Sequence, residues 1–174
     1  EENTYINGWI CTDGGDGVGG FVNPGYDRQA YSNYNIKQLQ SNRTISPVTR
    51  DFQFQPNSTY ITGKSSDLLF HPHYYGTWYT GSGTKLYLTR DNGFTYEEIY
   101  NFGVDVAAMD MCHADPDVLY ACTFPDWWGT KRIYRSLNGG ATWTEITPPA
   151  ALMNNEHLWI PYDITVDPNN PMKI

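Results

Sequence analysis

One passage is written twice in this chain, and that repeat limits the folds open to it more than any other feature. The first copy runs Lys85-Leu86-Tyr87-Leu88-Thr89-Arg90-Asp91-Asn92-Gly93-Phe94-Thr95-Tyr96-Glu97-Glu98-Ile99. The second runs Lys131-Arg132-Ile133-Tyr134-Arg135-Ser136-Leu137-Asn138-Gly139-Gly140-Ala141-Thr142-Trp143-Thr144-Glu145-Ile146. Gly-Thr precedes each, at Gly83-Thr84 and Gly129-Thr130, and Asp91 and Asn138 stand 47 residues apart. In each copy two apolar-alternating runs flank a tight glycine turn, the strongest short-range signal for a hairpin. A supersecondary unit recurring at such an interval buries its faces against neighbouring copies of itself.

The shared pattern is Ser/Thr-x-Asp/Asn-x-Gly-x-Thr-aromatic. It falls on Thr89, Asp91, Gly93, Thr95 and Tyr96, then on Ser136, Asn138, Gly140, Thr142 and Trp143. Asp or Asn is expected to hold the backbone N–H two residues on, while Gly supplies positive φ. The hydroxyls satisfy the turn's remaining polar groups, and the aromatic anchors the next strand against a neighbouring sheet. This pattern resembles the Asp-box (BNR) repeat of sialidases, sortilin-type receptors, xyloglucanase-like glycosidases and many bacterial surface propellers, and the Asp167-Pro168-Asn169-Asn170-Pro171 phrase makes the chain most similar to the last of these. Asn138 departs from it in the second copy and Tyr96 in the first. The resemblance implies an all-β propeller of four-stranded antiparallel blades. It also implies that the box is structural and lies away from any catalytic centre.

Read in order, residues 1–66 form a divergent first blade and a connection. Its strands are expected at Phe21–Pro24, Gln29–Tyr34 and Ile36–Gln40, with one more near Asp51–Gln55. Residues 67–103 form an Asp-box blade with strands at Leu68–Pro72, Gly76–Tyr79, Lys85–Thr89 and Thr95–Ile99. Residues 104–147 repeat it at Val106–Cys112, Val118–Thr123, Arg132–Ser136 and Thr142–Ile146. Residues 148–174 are a connection and, opening at Ile164, the first strand of a truncated further blade. Pro24, Pro72 and Pro116 recur at 48 and 44 residues, each where a sheet tolerates loss of a ladder donor. About three blades and the start of a fourth are fewer than the four to eight that close a ring. The expected partner is therefore the remainder of its own propeller or a completing chain.

A net charge of −8, with lysines and arginines in no cluster, argues against nucleic acid. No stretch approaches the ~20 apolar residues of a membrane span, and the resemblance implies an extracellular or cell-surface location. Cys112 and Cys122 flank a predicted hairpin turn; a bond across it and two buried thiols are both compatible with that spacing. Asn42-Arg43-Thr44 and Asn57-Ser58-Thr59 match the glycosylation sequon. The glycine-rich Asp13–Gly20 stretch reads as a turn rather than a cation loop. His71-x-His73, beside Pro72, reads as a turn rather than a zinc site. No metal or cofactor is expected.

In an up-and-down blade, successive loops emerge on opposite faces. The first-to-second turn shares one face with the Asp-box turn; the second-to-third loop shares the other with the blade connection. The second face receives Asp126, Trp127 and Trp128, and the long segment carrying Glu156 and Trp159. Aromatics beside carboxylates suit a glycan or protein ligand, although the tryptophans packing between blades is the competing expectation. Two alternatives stand beside this non-catalytic recognition or scaffold role. One is a glycoside hydrolase of the xyloglucanase-like or sialidase-like kind, which needs two carboxylates facing one bond. The other is a sortilin-like, peptide-binding receptor propeller. The sialidase arginine pattern is not found, since Arg90, Arg132 and Arg135 fall on outer strands or near the box.

Overall fold

The computed structural model describes residues 5–6, 9–10, 20–25, 29–32, 37–41, 47–51, 68–93, 95–124, 131–149 and 163–174. Among them every regular element is a strand, and no helix is long and apolar enough to cross a membrane. The chain divides into two compact units, Glu1–Gly63 and Lys64–Ile174.

In the first unit, β1 (Tyr5–Ile6) pairs antiparallel with β2 (Trp9–Ile10). Then β3 (Gly20–Val22), β4 (Gln29–Ser32), β5 (Lys37–Ser41) and β6 (Pro47–Asp51) form a four-stranded antiparallel sheet in chain order. Asn23 ends β3 in a side-chain turn, its Oδ1 accepting the Gly25 N–H at 3.0 Å. The fourth strand lies a few residues before the Asp51–Gln55 expected from sequence. Its polar Pro-Val-Thr-Arg-Asp run has no apolar alternation and is ordered by ladder pairing, as in Leu39 opposite Thr49.

The second unit holds two such sheets. One is β7 (Leu69–Phe70), β8 (Trp78–Ser82), β9 (Lys85–Thr89) and β10 (Glu97–Asn101). The other is β11 (Asp105–Met111), β12 (Leu119–Phe124), β13 (Arg132–Ser136) and β14 (Thr144–Glu145). Both are antiparallel meanders in chain order. β9 and β13 match their expected bounds; the other strands shift at their ends by one to a few residues.

The two sheets share a core. Tyr79, Leu86 and Leu88 of one pack against Val106, Met109, Met111, Leu119 and Ala121 of the other. A register shift between Val106 and Ala108 flips the alternation of β11, and so lets Val106 and Met109 point the same way. The opposite face of β11–β12 presents Ala108, Cys112, Val118, Tyr120 and Cys122 to Ile164 and Val166. Strands covered on both faces read as nearly continuous apolar runs, as Val118–Cys122 does.

Ile164 and Val166 are buried on either side of exposed Thr165, the alternation of a half-buried strand. The segment nevertheless forms no ladder among the described residues. It is held by single bonds instead: Val166 N–H to Asp110 Oδ2 at 2.7 Å, and Ala114 N–H to the Pro168 carbonyl at 2.9 Å.

Loop placement follows the up-and-down rule. Asn92 N–H reaches the Gly76 carbonyl at 2.7 Å and Gly139 N–H that of Asp117 at 2.9 Å, tying each third hairpin to the first turn of its own sheet. At the other end Phe102 N–H bonds Thr84 O and Val106 N–H bonds Gly83 O, joining the sheet-to-sheet connection to the second loop.

Candidate functional site

Each repeat closes in a polar knot. Thr89 Oγ1 accepts the Gly93 N–H at 2.8 Å and the Asp91 N–H at 3.4 Å, and donates to Asp91 Oδ1 at 2.9 Å. Asp91 then takes the Thr95 N–H on Oδ1 at 2.8 Å and the Thr95 hydroxyl on Oδ2 at 2.7 Å. In the second copy Ser136 Oγ accepts the Gly140 N–H at 2.9 Å and the Asn138 N–H at 3.3 Å. It donates to Asn138 Oδ1 at 3.0 Å, and that oxygen accepts the Thr142 N–H at 2.9 Å. One bond reverses. Asn138 Nδ2 donates to Thr142 Oγ1 at 2.9 Å, where the Asp91 carboxylate instead accepts.

This corrects the expected bonding. The N–H two residues past the acid or amide is held by the hydroxyl at the start of the pattern, and the acid or amide reaches four residues on. Consecutive left-handed residues cause it: Asn92 and Gly93 have φ of 63° and 87°, Gly139 and Gly140 of 65° and 86°. They turn the buried N–H back toward the strand it left, where a hydroxyl meets a donor that would be costly to bury alone.

The aromatics behave differently in the two copies. Trp143 lies between sheets, 5.1 Å from the Phe102 ring and 6.2 Å from Tyr100, with its Nε1–H on the Gly140 carbonyl at 2.8 Å. Tyr96 meets Trp78 of its own sheet edge-on at 5.4 Å.

On the knot face the two sheets leave a cleft of about 670 Å³, lined among others by His71, Tyr74, Tyr79, Arg90, Asp117 and Asn138. Leu88 and Ile99 give it an apolar portion. Tyr79 spans the two sheets, its hydroxyl donating to the Gly139 carbonyl at 3.3 Å. Burial pushes that phenol up, opposed by the Arg90 charge and reinforced by that of Asp117, so it stays a donor. Arg90 pairs with Glu97 at 2.6 Å and Lys85 with Glu98 at 2.7 Å. These exposed pairs contribute little to stability.

His71 builds the cleft wall. Its Nδ1 accepts the N–H groups of His73 at 3.1 Å and Tyr74 at 3.2 Å, which puts the ring proton on Nε2. The His71-x-His73 pair thus makes a turn, as expected. Burial, then the His73 charge, holds the His71 imidazolium form below the usual range, with Asp117 opposing. Protonating Nδ1 would break both bonds. Because the folded pKa is depressed, this stabilisation is present above the unfolded value of about 6.5 and lost as pH falls through the folded pKa. Amide exchange at His73 and Tyr74 should quicken, after correction for intrinsic rates, across that lower window. His71→Asn should keep the turn through its amide oxygen and abolish the pH dependence.

Cys112 and Cys122 are free and buried. Cys122 sits opposite Ala108 in the ladder, well along the strand from Cys112. Burial, aided by the Asp163 charge, pushes its thiol up to about 11. Among the described residues no group of three or more His, Cys, Asp or Glu is placed to hold a metal ion.

All ten residues of the repeated pattern fall at the two hairpin tips. Asp126, Trp127, Trp128, Glu156 and Trp159 lie outside the described residues, as do Cys11, both sequons and the glycine-rich stretch ahead of Gly20. Sequence reasoning missed the cleft. Its first-turn residues and its hairpin-tip residues are far apart in the chain, and no local pattern joins them.

No family model and no curated protein matches the chain. An ancestral GH74 enzyme of known structure is 16% identical, over 76% of this chain and 18% of its own, with a TM-score of 0.56. The GH74 xyloglucanase from Xanthomonas campestris is 18% identical over 72% of this chain and 20% of its own, at 0.49. YCF48, solved bound to D1 peptide, is 13% identical over 69% and 38%, at 0.46. The chain thus spans about a fifth of the length of the two GH74 structures. The first likeness is one of fold: all-β, a β-propeller with four-stranded antiparallel sheets as its blades.

Proposed function

We propose that this chain is a non-catalytic recognition or scaffold stretch of an Asp-box β-propeller in a secreted or cell-surface protein. Its partner within the ring is the remainder of its own propeller or a completing chain. The observation that carries this reading is the match between the two knots, which share every bond but the one to the threonine hydroxyl, whose direction reverses. The acid and amide of the repeat are committed to closing turns, so the repeat serves architecture rather than chemistry. Recognition of a glycan or protein then belongs to the opposite, loop face, with Trp127, Trp128, Asp126, Trp159 and Glu156 as contact residues.

A glycan array probed with the intact protein and with its Trp127→Ala/Trp128→Ala form tests this. Binding should fall at least tenfold in the double variant; unchanged binding would remove the loop-face site. Hydrolysis of xyloglucan or a sialoside that vanishes with Asp126→Asn or Glu156→Gln would replace the reading with the glycoside hydrolase one.

A further inference from the structure

The cleft on the knot face has the makings of a site of its own, independent of the loop-face reading. At about 670 Å³ it falls within the range of small-ligand pockets. Its charges are not balanced. Glu97 is answered by Arg90 and Glu98 by Lys85, whereas no hydrogen bond or ion pair among the described residues engages the Asp117 carboxylate. That carboxylate lies at the second sheet's contribution to the cleft, its Oδ1 3.5 Å from where a Cβ on Gly139 would stand. Its charge acts on both His71 and Tyr79 across the opening. The histidine opposite presents an Nε2–H rather than a second positive charge. Tyr74, 67% exposed and 4.8 Å from the His71 ring, offers an aromatic face at the mouth. Leu88 and Ile99 supply apolar surface below.

We propose that this cleft binds the cationic side chain of a basic peptide, an arginine in the first instance. The guanidinium meets Asp117 and lies against Tyr74, where the ring face attracts a cation. The methylene stem lies along Leu88 and Ile99, as long basic side chains do on apolar surfaces. A planar fork of donors suits a carboxylate better than a point charge does.

Titration of the chain with N-acetyl-arginine amide, followed by amide chemical shifts, tests this. Saturable shifts are expected at His71, Thr77 and Gly139, with millimolar affinity. The affinity should weaken several-fold between low and high salt. Asp117→Asn should weaken it about tenfold and Tyr74→Ala several-fold. Asp117 is exposed and holds the hairpin tip through its backbone carbonyl alone, so the variant leaves the fold intact. The neutral isostere N-acetyl-citrulline amide should not bind. Equal binding of citrulline, no shifts with arginine, or an unaltered Asp117→Asn titration would each overturn the proposal. Trp127→Ala/Trp128→Ala should leave the arginine titration untouched, so the two faces are tested separately.

Discussion

Gly140→Ala is expected to lower the stability of the Lys64–Ile174 unit by about 2–5 kcal/mol. Two effects add. Gly140 has φ of +86°, a region costing an L-residue roughly 1–2 kcal/mol. A Cβ there would also stand 2.9 Å from Ile99 Cδ1 and 3.6 Å from Leu86 Cδ2, both of the neighbouring sheet. Ile99 packs against the shared core, so it yields only by disturbing other contacts, at about 1–3 kcal/mol. Gly103→Ala separates the two effects. Its φ is +72°, but nothing lies within 4 Å of the added methyl, so only the backbone term should appear. Urea unfolding of both variants measures the difference. Equal losses would mean that the hairpin tip does not press on the neighbouring sheet.

Trp143→Ala is the second large loss, about 2–4 kcal/mol, toward the lower half of the range for large aromatics because the residue is half-buried. It removes the contacts with Phe102 and Tyr100 and the bond to the Gly140 carbonyl together. Trp143→Phe should restore most of the packing and lose only the hydrogen bond, about 1 kcal/mol. A double-mutant cycle of Trp143→Ala with Phe102→Ala should give a coupling of about 0.5–1.5 kcal/mol. A coupling near zero would show that the aromatic does not join the sheets.

The repeat made β9, β13 and both hairpin tips legible in the sequence, because turn chemistry is local. The loop-face rule was legible as well, and the bonds from Gly76 and Asp117 to the tips follow it. What escaped was set by pairing and distance. The two-residue strands β1 and β2 are too short to carry any periodicity. The segment from Ile164 was expected to be a strand, and its burial does alternate, but alternation reports which side is dry and not whether a neighbour completes the ladder. The order of bonds inside the knot escaped too, since it depends on two consecutive left-handed residues redirecting one N–H. Asp117 looked like an ordinary turn residue in Asp-Pro-Asp, and only folding brings it opposite His71 and Tyr79.

Every bond inside the knots spans no more than four residues. Closing so small a loop costs little chain entropy, so each hairpin can lock before distant strands arrive. Such a fastening is inherited whole. A duplicated gene segment carries its own clasp with it, and the new copy must evolve only the surfaces that meet its neighbours. Asp91 and Asn138 show how far the clasp itself can drift between copies while still holding shut.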